Sequence, residues 1–271
     1  TLRDEVTLAP QPERAPYAPA AALEDASRWY AGDLHVHSRE SGDARPPLDE
    51  IADFARSRGL DFVELSDHNT TSQLDFIVDA QARHPDILLL PGVEYTTYDG
   101  HANGIGATSF VDHKIGLDGL TIGDAVRAFH DQGALLSINH PTLQIGELCI
   151  GCGWGHDVPA SDVAAVEIAT GGAYPLFLDS AIDFWDGLCS QGAHVAAIGG
   201  SDDHKAGKDL DNLQDAIGEP TTMVRADRLD AAAIVEAIRA GRTVVRVTPD
   251  EPMVELASDP APAPSGPTDT V

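Results

Sequence analysis

From residue 29 to residue 247, short continuous apolar runs alternate with stretches whose apolar positions recur every three or four residues. The runs 29–37, 60–65, 87–93, 101–107, 134–139, 163–169, 194–199, 221–225 and 243–247 predict strands, and the spaced stretches 46–58, 71–83, 121–132, 175–190 and 229–240 predict helices. In 46–58 the apolar face is Leu48, Ile51, Phe54 and Ala55, with Gly59 as the stop; in 71–83 it is Leu74, Ile77 and Val78. Repeated strand–helix units with apolar strands predict parallel strands buried on both faces. The flanks lack this periodicity. Residues 1–28 read as an arm rich in Pro, Ala and charge, 29–250 as one α/β domain, and 251–271 as a flexible Pro-rich tail.

Composition narrows the partners. Forty-four acidic against 17 basic residues leave a formal charge of -27, whose long-range field repels nucleic acid and anionic membranes but not a small substrate drawn to a locally cationic pocket. No apolar run is long enough to span a bilayer. A soluble protein is expected, either cytoplasmic or exported with its signal already removed, since Thr1 opens the chain without a signal segment. Three cysteines are too few for a disulfide framework. Cys149-x-x-Cys152 has the spacing of a zinc half-site, a redox pair or a local disulfide; with no second such pair, a loop staple or two inert thiols is the better reading.

The chemistry gathers at strand ends. His35 and His37 flank one residue in the first strand and project to the same side, because side-chain direction repeats every two residues. Asp67-His68, Glu94, His101, His140 and Asp202-Asp203-His204 follow later apolar runs, and histidines placed for packing would have no reason to favour one end of the strands. A mixed nitrogen and oxygen donor set suits zinc, manganese or iron better than calcium or magnesium. Glu94 can bridge two ions, and paired ions acidify a shared water, so hydrolysis is expected. A dinucleotide-binding oxidoreductase is unsupported, since no Gly-x-Gly-x-x-Gly follows a strand.

The run Asp33-Leu-His35-Val-His37-Ser, then Ser66-Asp67-His68, Gly92-Val-Glu94, His101, Asn139-His140-Pro141 and Ser201-Asp202-Asp-His204 resembles the polymerase and histidinol phosphatase (PHP) family of metal-dependent hydrolases over residues 29–247. The opening Trp29-Tyr-Ala-Gly-Asp-Leu-His-Val-His-Ser is most similar to the CehA/McbA branch, named for carbaryl hydrolases. The resemblance implies a distorted (β/α)7 barrel, akin to a TIM barrel, with two or three divalent transition metal ions. It assigns His35, His37, Glu94 and Asp202 to one ion, Glu94, His101 and His140 to a second, and His68, His204 and Asp43, with Glu40 nearby, to a third. It also implies a phosphoesterase acting on a small, anionic phosphomonoester or phosphodiester through a metal-bound hydroxide. The alternative is a carboxylic ester, carbamate or amide hydrolase using the same centre.

Three further residues are candidates for catalytic roles. Asp67 would orient His68 or the water. His156 lies in the long segment 142–162, which is expected to overhang the ligand-bearing rim and, with Trp154, to touch substrate. Lys205, with Arg39, Arg45 and Lys208, would form a phosphate clamp or supply a general acid. Asp203, between two ligands, should point away. His84, His113, His130 and His194 read as ordinary packing or surface residues.

Overall fold

In the computed structural model, residues 17–146, 149, 151–210 and 214–254 are described; most of the expected N-terminal arm and C-terminal tail lies outside them. The order is β1 (Arg28–Val36), α1 (Leu48–Ser57), β2 (Phe62–Leu65), α2 (Leu74–Arg83), β3 (Leu88–Pro91), β4 (Glu94–Thr97), β5 (Gly100–Ile105), α3 (Ile122–Asp131), β6 (Leu135–Ile138), β7 (Ala165–Thr170), α4 (Tyr174–Cys189), β8 (Ala196–Gly200), β9 (Thr221–Ala226), α5 (Ala231–Arg239) and β10 (Thr243–Arg246).

Local chemistry starts and faces the helices. Thr121 caps α3 through a reciprocal bond set with Asp124, and Ala125, Val126 and Phe129 form its buried stripe. The Asp230 side chain accepts from the Ala233 N–H at the start of α5, which buries Ile234, Ala237 and Ile238. In α2 the buried face is Ile77, Ala80 and Gln81, while Val78 points outward, because one residue is a turn of about 100°. Gln81 earns its burial by donating to the Ile87 carbonyl and accepting from the Leu89 N–H, which docks α2 on β3.

The strands form two five-stranded sheets, β10-β9-β1-β2-β3 and β4-β5-β6-β7-β8. Only β1-β2-β3 and β6-β7-β8 are parallel; β1-β9, β9-β10, β4-β5 and β5-β6 are antiparallel. This corrects the expectation of a uniformly parallel sheet. Glu94–Thr97 was not foreseen as a strand of its own, and only Tyr98 and Asp99 separate it from β5, too few residues for a parallel crossover. Backbone hydrogen bonds join the sheets at two places, one where the end of β8 meets the central strand β1 and one where β4 and β5 meet β2 and β3. Asp202 N donates to His35 O at 2.8 Å and His37 N to Asp203 O at 3.1 Å on one side; Glu94 N donates to Ser66 O at 3.1 Å and Gly106 N to Pro91 O at 2.8 Å on the other. A shared core fills the space between them, with Tyr30 and Leu34 of β1, Phe62 of β2, Leu90 of β3, Ile105 of β5, Leu135 of β6, Ile198 of β8 and Val224 of β9, and with Ile234 and Ile238 of α5. Such burial contributes roughly 25 cal/mol per Å² of apolar surface.

Of the segment before β1, Tyr17 and Leu23 pack against the core, and Leu23 N donates to Leu229 O at 2.8 Å. No helix among the described residues is long and apolar enough to cross a membrane.

Candidate metal centre

All nine residues expected as ligands meet where the two sheets join. His35 Nε2 lies 3.3 Å from Glu94 Oε1 and 3.4 Å from Asp202 Oδ1, and His37 Nε2 lies 3.0 Å from the same Asp202 oxygen. His101 Nδ1 and His140 Nε2 approach Glu94 Oε1 at 3.2 and 3.5 Å. Asp43 Oδ2 sits 3.3 Å from His68 Nε2 and 3.5 Å from His204 Nε2, whereas Glu40 turns to Arg39. Three donor groups result, His35/His37/Glu94, Glu94/His101/His140 and His37/His68/His204, each with its ligand atoms within 4.8 Å of one another.

The backbone is bent to aim these groups. His140 and Asp202 hold φ of 27° and 55°, conformations that non-glycine residues seldom adopt and that persist where surrounding contacts impose them. Asp33 imposes one: its carboxylate accepts from the His35, Ser201 and Gly218 N–H groups, tying β1 to the chain on either side of Asp202. Burial pushes Asp33 up to about 6, against those hydrogen bonds. Gly200 lets β8 lie directly on His35, since a Cβ there would sit 2.3 Å from the His35 Cβ.

A second layer of partners orients the rings. His35 Nδ1 lies 3.0 Å from Glu167 Oε1, His140 Nδ1 3.1 Å from Cys152 O and His204 Nδ1 2.9 Å from Asp202 O. A carboxylate or carbonyl can only accept, so in each ring Nδ1 donates and Nε2 is left to face the cluster, with a lone pair to offer once the ring is neutral. His68 Nδ1 lies 2.7 Å from Thr96 Oγ1 and 2.7 Å from Glu94 Oε2. Asn139 Nδ2 donates to Glu94 Oε1 at 3.0 Å. Glu167 escaped the sequence reading, and Asp33 was read only as part of the opening motif, with no role of its own. The available signal for Glu167 was a single acid inside the apolar run Ala-Val-Glu-Ile-Ala; Glu64 in β2 carries the same signature.

What the cluster lacks is a counterpart for its inward-facing atoms. His35 Nε2, His37 Nε2, Glu94 Oε2 and Asp202 Oδ1 are buried with other candidate ligands as their near neighbours and make no well-formed hydrogen bond; His101 Nε2, on the side of its ring away from the Nδ1 that approaches Glu94, is likewise buried without one. Leaving such groups unpaired costs on the order of 1–3 kcal/mol each. Cations held by the His35/His37/Glu94 and neighbouring groups would satisfy the atoms that face them, and the donor chemistry fits divalent transition metals. Electrostatics point the same way. Burial opposes charge on Glu94, yet His68, His35 and His101 hold it well below the usual carboxylate range, and Asp202 is likewise held low by His35 and His37. Burial with His204 and His68 presses His37 down to about 3. Against burial, Glu94 and Asp43 push His68 up to about 11, and Asp43 with Asp202 pushes His204 up to about 9.

A cavity of about 550 Å³ opens over the cluster. Leu143, Ile145, Cys149, Leu176 and Phe177 form its apolar wall, so the segment after His140 does overhang the ligands as expected. The three residues expected to be catalytic lie elsewhere. Both Asp67 oxygens accept from Ser38, at 2.6 Å from its N–H and 2.7 Å from its hydroxyl. Burial, partly opposed by those bonds, pushes Asp67 up to about 7. Lys205 Nζ donates to Asp209 O and Gln214 Oε1, Lys208 pairs with Glu50, Arg39 with Glu40, and Arg45 is exposed. The expected phosphate clamp is therefore not formed: among the described residues no Lys or Arg lines this cavity. His156 sits 2.7 Å from Thr97 Oγ1 and lines a separate cavity of about 540 Å³, which shares Thr96 with the first; Trp154 lines neither. Asp203 points away as expected, accepting from the Lys205, Gly207 and Ile217 N–H groups. Cys149 and Cys152 form the loop staple, a disulfide.

No family model matches the chain, and no curated protein matches it. Solved structures do. A two-domain protein from Bacteroides vulgatus, containing a predicted PHP-like metal-dependent phosphoesterase, aligns over 88% of this chain and 69% of its own at 23% identity, with a TM-score of 0.63. The two share a fold. Weaker likenesses link an amidohydrolase from Chromobacterium violaceum, solved with sulfate and no metal (TM-score 0.42, 19% identity, 68% of this chain and 93% of that one), and a proposed metal-dependent phosphoesterase from Bifidobacterium adolescentis (TM-score 0.45, 14% identity, 68% and 92%).

Proposed function

We propose that this protein is a metal-dependent hydrolase of the PHP family, a phosphoesterase for a small phosphomonoester or phosphodiester, with the two sheets as halves of a distorted (β/α)7 barrel. One observation carries the reading: nine donor side chains from distant parts of the chain converge, and five of their buried atoms make no well-formed hydrogen bond. His35, His37, Glu94 and Asp202 would hold one ion, Glu94, His101 and His140 a second, and His68, His204 and Asp43 a third. Zinc, manganese or iron bound there supplies a Lewis acid and acidifies water.

The chain's own contribution is orientation. Glu167, the Cys152 carbonyl and the Asp202 carbonyl each accept a hydrogen bond from an Nδ1–H and leave Nε2 to the cluster, while Asn139 fixes one oxygen of Glu94. Leu143, Ile145 and Phe177 exclude water beside it and lower the local dielectric, which strengthens every charge interaction inside. Asp67 holds Ser38, and so the turn after the His-x-His pair; His156 and Lys205 would reach a substrate only outside the central cavity.

The apolar wall and the lack of a lining cation among the described residues support a second reading, hydrolysis of a carboxylic ester, carbamate or amide with an apolar leaving group, the chemistry suggested by the CehA/McbA-like opening. The two separate in one experiment. Protein of known metal content is assayed side by side on p-nitrophenyl phosphate, bis-p-nitrophenyl phosphate, nucleoside monophosphates, and naphthyl esters and carbamates. Phosphate release supports the first reading; ester or carbamate turnover without it supports the second.

A further inference from the structure

The sulfurs of the Cys149-x-x-Cys152 pair bind nothing in the hydrolytic reading, yet they lie against the cluster. A ring nitrogen of His101 and the two sulfurs fall within 4.8 Å of one another. Among the described residues His101 alone belongs both to this group and to the Glu94/His140 group; its Nδ1 approaches Glu94 at 3.2 Å, and its Nε2 is buried without a hydrogen-bond partner. Cys152 is buried too, and Leu143, Ile145 and Phe177 pack around the pair. The Cα atoms of the two cysteines are 5.7 Å apart, and their spacing is that of a zinc half-site.

We propose that reducing the Cys149–Cys152 disulfide opens a further metal site, in which the two thiolates and His101 hold a thiophilic divalent ion, zinc or cadmium, beside the hydrolytic cluster. Reduction breaks the S–S bond. A dithiol reductant gives up two electrons and two protons and becomes a disulfide, leaving two thiols, and the incoming ion displaces both thiol protons and, where an ion beside Glu94 already takes the His101 lone pair, the remaining His101 N–H proton as well. Tetrahedral zinc, with bonds of about 2.3 Å to sulfur and 2.0 Å to nitrogen, sets its donors roughly 3.5–3.8 Å apart. Donors already within 4.8 Å reach that spacing by small side-chain rotations once the covalent link is gone. The apolar shell favours a neutral complex of two thiolates and a divalent ion over two separate charges. Oxidation abolishes the site, so the same loop serves as a staple in an oxidising compartment and as a metal trap in a reducing one.

The test needs no substrate, so it stands or falls independently of the hydrolase assignment. In a Cys189→Ala background the pair supplies every thiol in the chain. The metal-loaded protein is divided into oxidised and dithiol-reduced samples, freed of reductant, counted for thiols and titrated with Cd²⁺ while the ultraviolet thiolate-to-cadmium band is followed. The band should saturate at one equivalent in the reduced sample and be absent from the oxidised one. His101→Ala should weaken capture by roughly an order of magnitude. Should that variant fail to fold, cadmium NMR of the reduced parent reads the same point through a coupled imidazole nitrogen. A pair that cannot be reduced without unfolding, a missing band, or cadmium bound by sulfur with no imidazole would each overturn the proposal.

Discussion

Glu167 and His35, 132 positions apart in the chain, meet at 3.0 Å between a carboxylate oxygen and Nδ1, and the other Glu167 oxygen accepts the His140 N–H at 2.9 Å. One buried acid thus positions two candidate ligands, one on β1 and one just past β6. Glu167→Gln keeps the shape but removes the anionic acceptor that stabilises the His35 ring. Metal affinity should fall by about 10–100-fold, as for other groups that orient a ligating histidine. Chelator-competition titration reads the affinity, with circular dichroism showing that the fold survives.

Gly200 tests how closely β8 must lie on β1. An added Cβ would meet the His35 Cβ at 2.3 Å and its N at 2.8 Å, both too close and neither at the end of a flexible side chain. Gly200→Ala should cost about 1–3 kcal/mol in urea unfolding and lower bound metal as His35 shifts. Gly187→Ala, with open space around an added Cβ in α4, should be neutral or stabilising by up to about 1 kcal/mol.

Metal uptake should depend on pH with a definite sign. Without metal, His204 is pushed up to about 9 and His68 up to about 11, burial opposing and nearby carboxylates prevailing. A protonated ring has no lone pair to offer. Apparent affinity for the ion they would share should therefore rise as pH climbs toward about 9 and beyond, by about tenfold per pH unit for each proton displaced. Proton release in weak buffer, followed alongside metal binding, measures it; an affinity that stays flat up to about 9 contradicts it.

The histidines should divide into two classes. His37→Ala or Glu94→Ala should remove both metal and hydrolytic activity, since each serves two donor groups. His194→Ala should spare both, because that exposed side chain opens β8 at the opposite end and lies against Gly241. Metal analysis and rate measurements on the three variants decide it.

Much of this was legible in the residues. The periodicities placed every helix and all strands but β4 to within a few positions, because strand and helix spacing are local properties of the backbone. Most candidate ligands were legible for a related reason, since a His-x-His pair and acids or histidines that end apolar runs are short patterns; Asp43 came from the family resemblance alone. The expected roles of Lys205 and His156 did not lead to the cavity, because the direction of a loop side chain depends on partners such as Gln214 and Thr97, which are distant in the chain or unremarkable in it.

By itself the sequence determined the alternation of strands and helices, the donor types, and a net charge of -27 unsuited to polyanions. Only the tertiary structure decided which strands pair antiparallel, that Glu167 steadies His35, that Asp33 bends the chain at Asp202, and that a disulfide lies beside His101. The reason is separation along the chain: such contacts arise from packing sheets whose strands lie up to two hundred residues apart, and no local pattern encodes them.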